Sequence, residues 1–149
     1  MKWVTSKGIK ISRAATAWLI RRFVDRDADL RFVPPGDVLA TAEREGGVGF
    51  HAAGTPYPPA GPHGESSFEA LVAAYCPDNE ALQEMAQIVG HADRPGRANA
   101  PPEAAGLRLI SAAFPLIARD DMETVERSQF MYDALYAALE ERVRSRLKK

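Results

Sequence analysis

Two β-prone runs separated by one amphipathic helix constrain the fold of this chain more than any other feature of its sequence. Trp3-Val4-Thr5 is a short extended run that Gly8 ends, and Leu30-Arg31-Phe32-Val33 alternates like a strand and stops at Pro34-Pro35. Between them Ala14, Ala15, Trp18, Leu19, Phe23 and Val24 recur at helical spacing, while Arg13, Arg21 and Arg22 lie outside that stripe or on its margin. Ser12 stands where a helix N-cap is expected, and Asp25 to Asp27 closes the helix. Residues 3–33 therefore read as strand, helix, strand, and two parallel neighbours joined in this way require a right-handed crossover.

The remainder reads as helices with short connections. Asp37 to Glu43 forms a short helix ended by Gly46-Gly47, and Val48-Gly49-Phe50 supplies a third short strand. Residues 54–64 hold four prolines and three glycines, a composition that sustains no helix and marks a loop. Ser66 or Ser67 caps a helix through Tyr75, and Pro77-Asp78 starts another, with Leu82, Met85, Ala86 and Val89 on one face and Gly90 as its end. After a polar link over Asp93 to Ala100, Pro101-Pro102-Glu103 has the proline and acid of a first helical turn. That helix runs towards Leu116-Ile117, weakened by Gly106 and ended or kinked by Pro115. Asp120-Asp121 caps a last long helix whose apolar stripe is Val125, Met131, Leu135, Ala138, Leu139 and Val143. The expected fold is α+β and predominantly helical: about six helices with a small two- to three-stranded sheet near the N-terminus, in one domain over residues 1–149.

Composition narrows the function. Hydrophobic residues make up 46% and charged residues 26%, the balance of a folded globular chain. A net charge of -1 speaks against a dedicated nucleic-acid surface, which needs a local excess of Lys and Arg, so no direct nucleic-acid binding is expected. The single cysteine, Cys76, makes no internal disulfide and has no neighbour that would lower its pKa, so it takes no functional role. Met1 to Lys7 lacks the apolar core of a signal peptide, and no apolar run approaches the roughly 18 residues of a membrane span. A soluble, cytoplasmic protein without membrane contact is expected.

Two constellations carry chemistry. Arg13 at the mouth of the first helix, with Arg21 and Arg22 two turns on, offers the dipole, backbone donors and bidentate forks that suit a tetrahedral oxyanion. The plainer alternative pairs these arginines with Asp25, Asp27 or Asp29, or has them merely solvate a helix face. The second set is metal-like: His51, His63, Glu69, His91, Asp93 and Glu103, with Asp133 as an outlying member. Imidazole with carboxylate suits zinc, iron or manganese, yet no pair has the i, i+4 spacing of a metal-binding helix, so convergence rests on the tertiary fold. The plainer alternative makes His51 and His63 loop residues, Glu103 a first-turn acid and Asp133 a helix-surface acid. Trp18, Tyr132 and Tyr136 read as core.

Ser12-Arg13-Ala14-Ala15-Thr16-Ala17-Trp18-Leu19-Ile20-Arg21-Arg22-Phe23-Val24-Asp25, followed by Ala28-Asp29-Leu30-Arg31-Phe32-Val33-Pro34, resembles the opening signature of the ChrB C-terminal domain family of bacterial chromate-resistance proteins. His63 with Ser67-Phe68-Glu69, Ile88-Val89 with Ala92-Asp93, Pro102 to Leu107, and Tyr132-Asp133-Ala134-Leu135-Tyr136 are similar to that family's later blocks, in the same order. The chain departs from the pattern at Ser12, where an acid is usual, at Thr16, a cysteine, at Ala17, a proline, and at His51, an acid. The resemblance implies a chromate-resistance accessory or sensing domain that binds a small inorganic anion or a metal ion. Two alternatives accompany it: a redox or hydrolytic metalloenzyme in which Arg13 or Arg22 holds an anionic substrate, and a protein-interaction domain that self-associates into a homo-oligomer through the last helix.

Overall fold

The computed structural model describes residues 1–148. Strand β1 (Lys2–Ser6) leads into helix α1 (Ile11–Leu19), which widens into one π-turn over Ile20–Val24 before β2 (Asp29–Val33). Then follow α2 (Val38–Glu45), β3 (Val48–Gly49), α3 (Ser67–Tyr75), α4 (Glu80–Asp93), α5 (Glu103–Ala112), the four-residue α6 (Phe114–Ile117) and α7 (Asp121–Leu147). The fold is α+β and mainly helical, with six helices of eight residues or more among the described residues. No helix among them is long and apolar enough to cross a membrane.

The three strands are parallel in the order β2-β1-β3, with Trp3 opposite Leu30 on one side and Val48 on the other. Alternation along β1 splits the core in two. Val4 joins Val38 and Ala42 of α2 on one face, while Trp3 joins the main cluster built from α1, α3, α4, α5 and α7. Several helix ends obey their local chemistry. Ser66 forms a reciprocal capping box with Glu69, Gly46 closes α2 at φ 66°, and the Asp120 side chain caps α7 by accepting from the Glu123 N–H.

Several details differ from the sequence reading, among them the start of α4, which Asn79 caps by accepting from the Leu82 N–H. Helix α1 begins at Ile11, so Ser12 is no cap but a buried first-turn residue whose Oγ has no partner among the described residues. The start is set from afar: Asp121 accepts the N–H groups of Gly8 and Ile9 at 3.0 and 2.8 Å, and Ile11 turns the chain with φ 47°. Gly90 does not end α4, which runs on to Asp93; a Cβ at 90 would stand 3.1 Å from Glu69 Oε1, so this glycine serves the approach of α3. Helix α5 ends at Ala112, short of Leu116-Ile117, and Pro115 sits in the first turn of a separate α6, where its missing N–H costs no hydrogen bond. On α7 Ala138 is exposed, and Tyr132 and Tyr136 take the buried stripe beside Val125 and Leu139, packed against Trp18 with ring centroids 6.0 and 6.1 Å away. Lys149, the last residue of the basic run that begins at Arg142, lies outside the described residues.

Because Asp121 accepts the N–H of the buried Ile9, Asp121→Ala leaves that donor without its partner, while the exposed Gly8 N–H turns to water. The expected loss is about 1–3 kcal/mol, read as a lower urea midpoint with an unchanged slope.

Candidate oxyanion-binding site

At the far end of α1 the helix does not simply stop. The Asp25 N–H reaches back five residues to the Ile20 carbonyl at 2.7 Å, closing a wide turn of a kind found often at functional sites. Asp25 is itself fixed: it accepts the Trp3 indole N–H at 3.0 Å, and that bond holds its carboxyl below the usual range. Around this turn Arg21, Arg22 and Arg26, with Trp18, Val125 and Gln129, line an open cleft of about 590 Å³. That volume lies within the range of small-ligand sites.

The walls of the cleft are tied down by one carboxylate. Asp133 on α7 accepts the Trp18 indole N–H at 2.9 Å and stands 3.8 Å from Arg22 Nε, while the Arg22 guanidinium lies 5.0 Å over the Phe23 ring. Arg21 and Arg26 make no ion pair among the described residues, and none of Arg13, Arg21 and Arg22 pairs there with Asp25, Asp27 or Asp29. One nitrogen of Arg21, Nη1, is buried without any hydrogen-bond partner among those residues. Orphaned buried donors are rare and costly, and for a charged group the missing partner is best supplied by an anion. Three arginines and no acid line the cleft, with Asp133 beside Arg22 and Asp25 engaged by Trp3, so the lining carries a positive charge.

Arg13 is elsewhere. It precedes Arg21 by eight residues, about 12 Å along a helix, and its fork donates to the carbonyls of Ser6, Lys7 and Gly8 and to Ser6 Oγ at 2.6–3.1 Å. Burial pushes its pKa down, Asp121 and Asp93 push it up, and it stays charged. Its donors are spent on holding the end of β1, not on a ligand.

The six metal-like residues do not converge. Among the described residues no group of three His, Cys, Asp or Glu side chains stands close enough to hold a metal ion. His51 Nε2 and Asp93 Oδ2 approach to 3.9 Å, too far for a hydrogen bond, and His51 occupies the left-handed region at φ 55°. His63 is exposed in the 54–64 loop, and Glu69 is held in its capping box. The His91 ring lies between the carbonyl oxygens of Gln87 and Ala98 at 2.8 and 3.3 Å, and Glu103 pairs with Arg142 at 2.7 Å. This donor set does not fit a resident metal. Cys76 is half-buried, and burial pushes its thiol up, away from the reactive thiolate.

Sequence reasoning missed Arg26 and Gln129. The i, i+4 spacing of Arg22 and Arg26 carried a signal for the first; nothing local marks Gln129, which α7 brings from over a hundred residues away. What fold and site define is a mainly helical α+β domain with an arginine-lined cleft at the end of its first helix. Residues 3–139 match the family model described as ChrB, C-terminal domain, and on that span the chain belongs to the ChrB C-terminal domain family, which relates it to chromate resistance. No curated protein and no solved structure matches it.

Asp93 carries a pH dependence. Burial pushes its carboxyl up, but His51, Arg94 and Arg108 together hold it below the ordinary value. The stability it supplies is present above the unfolded pKa of about 3.9 and is lost as the pH falls through the lower native value. Urea titrations at stepped pH should show wild type more stable than Asp93→Asn at neutrality, with the gap closing only in acid.

Proposed function

We propose that this chain is a cytoplasmic chromate-resistance domain that binds a tetrahedral oxyanion, chromate foremost, in the cleft of Arg21, Arg22 and Arg26. The observation that carries the reading is the grouping of Arg21, Arg22 and Arg26 around one cleft, with Arg21 and Arg26 in no ion pair among the described residues. A doubly charged anion with four acceptor oxygens supplies several charged hydrogen bonds at once, and bidentate forks hold it better than point charges would. Membership of a family related to chromate resistance supports chromate as the first anion of that shape to try. The domain binds without chemistry: nothing in the cleft is a nucleophile or a thiol, and Trp18, Arg22 and Asp133 act as a positioned wall.

Calorimetric titration of the chain with chromate, and with sulfate for comparison, tests this. Loss of one charged hydrogen bond, about 1.5–3 kcal/mol, corresponds to roughly ten- to a hundredfold weaker binding for Arg21→Gln. Unchanged affinity in both Arg21→Gln and Arg26→Gln removes the reading. Asp133→Asn tests the electrostatics in the opposite direction, since the amide oxygen still accepts from Trp18 while the negative charge beside Arg22 is gone. Its affinity for chromate should rise about fivefold, a change on the order of 1 kcal/mol.

A further inference from the structure

Helix α7 carries a second surface, opposite its buried face. Thr124, Val125, Ser128, Tyr132, Tyr136 and Leu139 point into the core. On the other side Arg127, Phe130, Ala134, Ala137 and Glu141, all exposed, follow one another at helical spacing. Phe130 is 84% exposed, and beside it α6 leaves Leu116 84% and Ile117 67% exposed. The Arg127 guanidinium donates to the Ile117 carbonyl at 3.4 Å, which makes these apolar residues neighbours of the α7 line. Three large apolar side chains left in water on neighbouring helices point to an interaction surface.

The order of residues along the line says what covers it. Ala134 stands at the middle of α7, Arg127 seven residues before it and Glu141 seven residues after it. Seven residues are close to two helical turns, so the cation and the anion lie on the same face at equal distances from the centre. We propose that α7 pairs antiparallel with α7 of a second copy of this chain, about a twofold axis at Ala134. In that arrangement Arg127 of each copy faces Glu141 of the other, and each Phe130 ring packs over the small side chains of Ala134 and Ala137. Parallel pairing in register would set Arg127 against Arg127 and Glu141 against Glu141, which like-charge repulsion disfavours. The present partners of these groups, Glu123 for Arg127 and Arg144 for Glu141, form ion pairs at the surface of one helix, weak enough to be exchanged. The interface is isologous and closes on itself as a dimer.

Sedimentation velocity of the full chain across the micromolar range tests the pairing. A concentration-dependent dimer is expected, with a Kd raised at least tenfold by Arg127→Glu and restored by Arg127→Glu combined with Glu141→Arg. Rescue by the charge swap separates lost pairing from lost folding. The axis is tested by Ala134→Cys in a Cys76→Ser background: under diamide it should form a covalent dimer, while Ala74→Cys, exposed on α3, should not. A wild-type chain that stays monomeric, a dimer indifferent to Arg127→Glu, or an Ala134→Cys variant that does not cross-link overturns the proposal.

Discussion

A single hydrogen bond, from the Trp3 indole to the Asp25 carboxylate, joins the middle strand of the sheet to the end of the first helix. Trp3 is buried and held in register by both neighbouring strands, so its ring is among the least movable groups in the molecule. Asp25 is fixed on that ring, and the turn that ends at Asp25 is fixed with it. Arg21, Arg22 and Arg26 stand around the turn, and their spacing in the cleft is thereby inherited from the sheet. The second tie, from Trp18 to Asp133, carries the same constraint across to α7. Preorganisation of this kind lets cations remain close together without collapsing onto nearby acids.

What could be read in the sequence follows from how far each signal reaches. The strand, helix, strand unit of residues 3–33 was legible because alternation, helical spacing and Pro34-Pro35 act within a few residues. So were the caps at Ser66 and Asp120, whose partners lie three residues on. The start of α1 was not legible, because Asp121 decides it from 112 residues away. Gly90 was misread for the same reason: its lack of a side chain answers to Glu69 on another helix, not to the end of its own. Among the site residues, Arg21 and Arg22 share a cleft because they share a turn, whereas Arg13 is drawn off by the carbonyl groups at the end of β1. The histidines and acids were alike in chemistry alone, and nothing in their spacing obliged the fold to gather them.

Helix α7 unites the two surfaces. Gln129 and Val125 help to wall the cleft, Asp133 steadies Trp18 and Arg22, and the next residue, Ala134, lies at the centre of the opposite, exposed line. The proposed anion site and the proposed dimer face would thus share one helix.

The wide turn at Ile20–Val24 has an evolutionary consequence as well. A turn closed over five residues instead of four is, in effect, a regular helix with one residue inserted. Removal of one residue there would return the turn to four-residue spacing and shift Arg21, Arg22 and Asp25 against one another and against Trp3 and Trp18. Within this stretch both count and identity matter: the number of residues sets where the arginines stand, and Arg21 and Arg22 supply the charge of the cleft.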